Sequence, residues 1–175
     1  MINEKGGLSP EETLVELLKR ENAKISVAES FTGGNVSARI VSVSGASKVF
    51  YEGIVAYDSD AKEKRLSVSR SAIENDKPVS ARVAEEMAKG LIGTGMVDYA
   101  VSTTGIAGPN SDDSYFPVGL CYIGVATKNS VTAYKYNFSG NREEVIRKGT
   151  EEALLLAIKT IKNCKIRPAN KSQTN

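Results

Sequence analysis

Residues 28–36 read AESFTGGNV, and the pattern of the chain changes period across them. The run before, KISVA at 24–28, is short and apolar, as a buried strand requires. After it, Val36, Ile40 and Val43 recur at helical spacing. The turn between carries Glu29, Ser30, Thr32, Gly33 and Gly34. A strand that passes through a glycine turn straight into a helix belongs to an α/β protein. Such a turn also aims backbone N–H groups at one spot, where the helix dipole favours an anion. Two readings stand side by side. In one, Ser30 and Thr32 add donors to a phosphate cradle and Gly33 and Gly34 leave it room. In the other, the hydroxyls cap the helix and the glycines only turn the chain. The spacing matches neither a P-loop nor the dinucleotide fingerprint.

Working outward, Ser9-Pro10-Glu11-Glu12 reads as a capping box ahead of a helix with Leu14, Leu17 and Leu18 on one face, ending near Asn22. Residues 48–57 read as a strand, residues 62–66 as a short helix, and the stretch after it as polar chain. Ser80 opens a helix with Val83, Met87 and Leu91 buried, which Gly93 and Gly95 end. Residues 97–103 form a strand, followed by the loop TGIAGPNSDDS. Residues 118–126 and 131–138 make a hairpin about a turn at 128–130. Asn141 and Glu144 form a second capping box, before a long helix lined by Ile146, Ala153, Ala157 and Ile161. Helices alternating with strands, then a hairpin and a last helix, predict a single domain. Its fold is α/β, a three-layer α/β/α sandwich with a mixed sheet. Its core is expected at about residues 9–162 of 1–175, with a frayed polar tail at 163–175.

The chain has no histidine, which excludes a Ser-His-Asp triad, a histidine base and any histidine-bearing zinc site. With 23 basic and 21 acidic side chains, charge gives no case for nucleic acid as a partner. The opening MINEKGGLSP is polar and no apolar run is long enough to span a bilayer. The expectation is a cytoplasmic protein with no membrane partner. Its cysteines, Cys121 and Cys164, are expected to be reduced, as core filler or bystanders.

Ligands on open α/β sheets sit beyond the carboxyl ends of strands, so the loop STTGIAGPN at 102–110, with Thr104 and Gly105, can share one crevice with the turn at 29–34. A surface turn is the other reading. Ser47 lies in a break after a helix, Tyr57 at a strand end, and Lys62 a turn beyond. Without histidine, a desolvated lysine can act as base for a serine, and a tyrosine can relay the proton. A cap, a packed ring and a solvated charge are the plain alternatives. Arg142 falls where a helix starts, against the dipole, which suits an outward role on a phosphate or carboxylate. Arg147 is its rival.

AESFTGG, SGASKVF, GIVAYDSDAK, KPVSARVAEEMAKG, TTGIAGP, PVGLCYIGVA and FSGNR, in this order, resemble the motifs of the CinA C-terminal domain family, which includes nicotinamide mononucleotide deamidases. The resemblance runs over about residues 10–162, with Phe31 where the family usually has cysteine. It implies an amidohydrolase of pyridine nucleotide salvage that converts nicotinamide mononucleotide to nicotinate mononucleotide and ammonia. It implies Ser47 as nucleophile or water activator, Tyr57 and Lys62 handling its proton, and Arg142 as catalytic or orienting arginine. Ser30, Thr32, Gly33, Gly34, Thr104 and Gly105 would line the nucleotide pocket. No metal or cofactor is called for, and a homo-oligomer is expected. The competing reading is a non-catalytic nucleotide-binding or competence/DNA-damage-associated module. A hydrolase of another small amide is the third.

Overall fold

The change of period is the junction between strand β1 (Ile25–Glu29) and helix α2 (Asn35–Val41). A computed structural model of the chain describes residues 7–111 and 116–166. Helix α1 (Pro10–Glu21) precedes β1. The expected capping box starts it, with Ser9 N–H donating to Glu12 Oε2 at 2.8 Å and Pro10 in the first turn. Left-handed Asn22 ends it. Then follow β2 (Phe50–Val55), α3 (Ser59–Leu66), α4 (Arg70–Asp76), α5 (Ala81–Gly93), β3 (Tyr99–Gly105), β4 (Leu120–Thr127), β5 (Ser130–Asn137) and α6 (Arg142–Ile166).

The strands form one sheet in the order β2-β1-β3-β4-β5. β1 runs parallel to both β2 and β3, while β3, β4 and β5 are antiparallel in turn, so the sheet is mixed. Helices cover both faces. Leu14, Leu18, Ile40, Leu154 and Ile161, from α1, α2 and α6, pack on Ile25, Val27, Val101 and Ile123. On the other face Leu66, Ala72, Met87 and Leu91, from α3, α4 and α5, pack on Ala28, Ala100 and Ala126. Each fully buried aliphatic side chain contributes about 1.5–3 kcal/mol. The expected three-layer α/β/α sandwich is therefore present. Cys121 is core filler, its thiol pushed up to about 12 by burial, while Cys164 is exposed.

Some boundaries differ from expectation. α3 starts at Ser59, because the Asp58 carboxylate caps it by accepting from Asp60 N–H at 2.8 Å. The stretch after it is helical as α4, capped by Ser69 and buried only through Ala72. The periodicity of so short a helix with one inward residue is faint. α6 runs on through Ile166, so the polar tail does not begin at 163. Residues 167–175, and 112–115 of the glycine-rich loop, lie outside the described residues.

A third, smaller cluster sits at the strand ends: Phe31, Ala107, Cys121 and Val145, flanked by Phe138 and Ile146. Phe31 is 2% exposed and packs beneath the turn rather than into a crevice. Its ring lies so close to Gly149 of α6 that a Cβ there would stand 2.3 Å from its Cζ. Gly149→Ala is therefore expected to lower the free energy of unfolding by about 1–3 kcal/mol through overpacking. Urea unfolding should find the double variant Gly149→Ala/Phe31→Leu less destabilised than the sum of the singles. Strict additivity would mean that the ring is not the obstacle.

Candidate active site

Because β1, β2 and β3 are parallel, their carboxyl ends meet at one edge, with Glu29 in register with Val55 on one side and Thr103 on the other. Four segments converge there: the turn after β1, the residues 56–58 after β2, the loop after β3, and the start of α6. α6 is fixed at its capping box, where Asn141 N–H donates to Glu144 Oε2 at 2.8 Å and Glu144 N–H to Asn141 Oδ1 at 3.0 Å.

Glu29 decides what the turn can do. Its carboxylate is fully buried and takes five donors. Oε2 accepts from Thr32 Oγ1 (2.7 Å), Gly34 N–H (2.9 Å) and Val36 N–H (3.1 Å). Oε1 accepts from Ser37 N–H (2.9 Å) and Ser37 Oγ (2.7 Å). Gly33 N–H turns back to Ser30 O and Asn35 N–H to Thr32 O. The chain's own anion thus fills the end of α2, and the expected phosphate cradle is corrected. Gly33 and Gly34 are present because φ is +61° and +97°, in the left-handed region. Thr32 is fully buried. It spends its proton on Glu29, so the Thr103 hydroxyl must be the donor in the 2.7 Å contact between the two threonines.

The second predicted loop is also committed to structure. Thr104 is 1% exposed and donates to Pro78 O at 2.7 Å, tying β3 to the entry of α5. Gly105 is required by close packing on β4, since a Cβ would come within 2.9 Å of Leu120 O and Cys121 Sγ. Ser30 differs from these neighbours. Its backbone N–H donates to Thr103 O at 2.9 Å, yet among the described residues nothing bonds its hydroxyl.

Tyr57, Lys62 and Arg142 come together. Lys62 of α3 is 2% exposed and donates from Nζ to Tyr57 O at 3.1 Å. Burial pushes its ammonium down from 10.5 to about 8, against the opposing pull of the Asp58 carboxylate. Arg142, the first residue of α6, donates from Nη2 to the Tyr57 hydroxyl (3.0 Å) and from Nη1 to Gly108 O (2.6 Å). One guanidinium thereby links the ends of β2 and β3 to α6. Among the described residues Arg147 has no such contact, so Arg142 is the arginine that joins Tyr57.

Ser47 does not join them within the chain. It lies in a single 3-10 turn, Ala46–Lys48, before β2, whereas Tyr57 and Lys62 follow β2. The six residues of β2 separate the two ends of the sheet by roughly 20 Å at about 3.3 Å per residue. The expectation that Ser47, Tyr57 and Lys62 share one crevice of a single chain is corrected on that ground. Glu29 and the Gly108 carbonyl are the functional groups that motif reading passed over. An acid just ahead of a glycine turn and a helix start was the available sign of Glu29.

Residues 8–161 match the sequence profile of the CinA C-terminal domain. The chain belongs to the CinA C-terminal domain family. A competence-damage inducible protein of Caldicellulosiruptor saccharolyticus is 46% identical over 153 residues, which are 87% of this chain and 37% of that protein. A CinA-like protein of Kosmotoga olearia is 41% identical over 149 residues, 85% of this chain and 36% of that one. The chain therefore spans little more than a third of these relatives. Among solved structures, a CinA superfamily protein from Escherichia coli aligns with a TM-score of 0.81 at 29% identity, covering 85% of this chain and 88% of that one. A CinA superfamily protein from Klebsiella pneumoniae shares the fold with a TM-score of 0.85 at 21% identity, covering 88% and 96%. Among the described residues no helix is long and apolar enough to cross a membrane.

The five-donor carboxylate gives the site's first test. Glu29→Gln puts an amide donor against N–H groups that already donate. The unfolding free energy should fall by about 2–3 kcal/mol, one buried mismatch, measured by chemical denaturation. A loss of only a few tenths would show that the carboxylate does not hold the turn.

Proposed function

We propose that the chain is an amidohydrolase that releases the carboxamide nitrogen of nicotinamide mononucleotide as ammonia and leaves nicotinate mononucleotide. One observation carries the reading: a nearly inaccessible lysine, Lys62, its ammonium pushed down to about 8 by burial, at the edge where three parallel strands end in a histidine-free α/β fold. At pH 7 about one such lysine in ten is neutral and able to take a proton. The substrate is proposed on the motif resemblance, and membership of the CinA C-terminal domain family supports it.

The serine in this reading is Ser30 in place of Ser47. Ser30 follows β1, whose last pairing with β2 is Glu29 with Val55, so it lies next to Ala56 and near the Tyr57 carbonyl that holds Lys62. Along β1, Ala28 faces the layer formed by α3 and α5, and the two-residue alternation turns Ser30 toward that layer. Ser30 Oγ gives its proton to neutral Lys62 Nζ and forms a bond to the carboxamide carbon. The tetrahedral oxyanion collapses, the C–N bond breaks, and Lys62 returns the proton to the departing ammonia. Water then cleaves the acyl ester, with Lys62 again as base. Tyr57 and Arg142 orient the substrate from the same edge, Tyr57 through its own hydroxyl proton, since that oxygen accepts from Arg142. With Glu29 filling the end of α2, the nucleotide phosphate falls to Arg142.

That same filled helix end favours a second reading, hydrolysis of a small amide without a phosphate. An ammonia-release assay on nicotinamide mononucleotide and nicotinamide riboside separates the two. The first reading expects turnover of the mononucleotide well above the riboside, and the second expects the reverse. No release from either, with the nucleotide still bound, would support the non-catalytic role.

Two outcomes are expected on the active substrate. Ser30→Ala should lower kcat by at least about a thousand-fold with the fold retained, and near-normal turnover would remove Ser30 from the mechanism. The wild-type rate should climb about ten-fold per pH unit below 8 and level off above it, because only unprotonated Lys62 is competent. A profile flat from pH 6 to about 9 would exclude Lys62 as the base.

A further inference from the structure

Two donors in the turn after β1 are unused. Gly33 N–H donates to Ser30 O at 3.0 Å and closes a turn with Phe31 and Thr32 at its centre. Among the described residues, neither Phe31 N–H nor Thr32 N–H bonds an acceptor. Both residues are buried, Thr32 completely. Buried main-chain N–H groups are nearly always paired in folded proteins, so two unpaired neighbours call for an acceptor from outside the chain.

These donors are not part of α2. That helix begins at Asn35, whose N–H goes to Thr32 O, and the N–H groups of Val36 and Ser37 go to Glu29. The Glu29 carboxylate already holds five donors and has no lone pair left for more. The ladder fixes the side that Phe31 N–H faces. Ala56 N–H donates to Glu29 O at 2.8 Å, so a parallel ladder carried on would give Phe31 N–H the next rung, to Ala56 O. The chain turns there and the rung is not made. Phe31 N–H is left toward the end of β2, where Tyr57 and Lys62 stand. Ser30 is a second, independent sign. It is only 7% exposed, yet its hydroxyl has no partner among the described residues.

We propose that the N–H groups of Phe31 and Thr32 form the oxyanion site of the hydrolysis and receive the carboxamide oxygen of the substrate. The assignment rests on the hydrolytic reading with Ser30 as nucleophile. As Ser30 Oγ bonds the carboxamide carbon, its proton passes to Lys62 and the C=O π pair moves onto oxygen. The oxyanion then meets donors from the two residues next to the nucleophile, within reach of an oxygen on the same carbon. When the pair returns to re-form C=O, the C–N bond breaks and ammonia leaves with the proton from Lys62. The same donors serve the second tetrahedral intermediate, formed when water attacks the ester. Consecutive N–H groups of a turn make a concave seat for an anion, and burial keeps competing water out. Two N–H groups match a single charged oxygen, where a phosphate would present three.

Replacing an amide by an ester removes one donor at a time. Phe31→phenyllactic acid does so at the first position, and the α-hydroxy acid analogue of threonine does so at Thr32. Each ester should lower kcat for ammonia release from nicotinamide mononucleotide by about a hundred-fold or more, with KM changed by less than about three-fold. Inhibition by pyridine-3-boronic acid, whose adduct on Ser30 presents a tetrahedral oxygen, should weaken in parallel. The midpoint of urea unfolding should move little, because neither N–H is bonded within the chain. Should one ester fail to fold, the other carries the same test. A kcat within a few-fold of wild type in a folded ester would overturn the proposal, as would a loss that appears in KM alone. Those outcomes leave the hydrolytic reading standing. A wild type that releases no ammonia sinks that reading, and the oxyanion site with it.

Discussion

The fold turns on a carboxylate placed at the head of a helix from behind. Glu29 ends β1 and reaches forward to collect the N–H groups of Gly34, Val36 and Ser37 with the hydroxyls of Thr32 and Ser37. A buried charge is tolerated only when its hydrogen-bonding capacity is met, and here the unsatisfied donors of a helix start meet it. The two needs cancel each other. The turn between strand and helix is thereby drawn tight, and Ser30 is held buried at its start, its N–H donating to Thr103 O. Phe31 beneath and the Thr103 hydroxyl beside it hold the same turn from two other directions.

Parallel pairing then does the rest of the positioning. Three strands that end together bring three loops to one edge, and the antiparallel pair β4–β5 returns the chain so that α6 begins beside them. Arg142 spans the meeting point with bonds to Tyr57 and Gly108. A charge that opposes the dipole of its own helix is held there by an oxygen on each of two neighbouring segments. Lys62 is recruited by the short helix that follows β2, because Asp58 caps α3 and turns its first buried position, Lys62, inward.

Much of this was legible in the letters. Period changes at residues 28–36, the two capping boxes and the hairpin gave the layers and the mixed sheet, because these features depend on neighbours in sequence. Tyr57 and Arg142 were found for the same reason, since each sits at an element boundary that composition marks, and Lys62 lies one turn into the helix that follows Tyr57. What escaped depends on pairs distant in sequence. Whether the end of α2 was open or filled hinged on the rotamer of Glu29. The bonds that fix Thr104 to Pro78 and pack Gly105 on β4 join residues distant in sequence. Ser47 stood within ten residues of Tyr57, yet those residues are a strand, which carries its two ends apart where a turn would have joined them.

The burial of Lys62 reaches beyond the site, into the thermodynamics of the whole domain. Once unfolded, this lysine keeps its proton to about 10.5, whereas in the folded chain it gives it up at about 8. Below pH 8 both forms are charged, and the native state carries the full burden of a desolvated cation, on the order of 3 kcal/mol. Between about 8 and 10.5 the unfolded chain binds a proton that the native chain does not, so alkalinity strengthens the fold across that window. A domain shaped this way is weakest with respect to Lys62 at neutral and acid pH. An aliphatic side chain in that position would make the fold sturdier there.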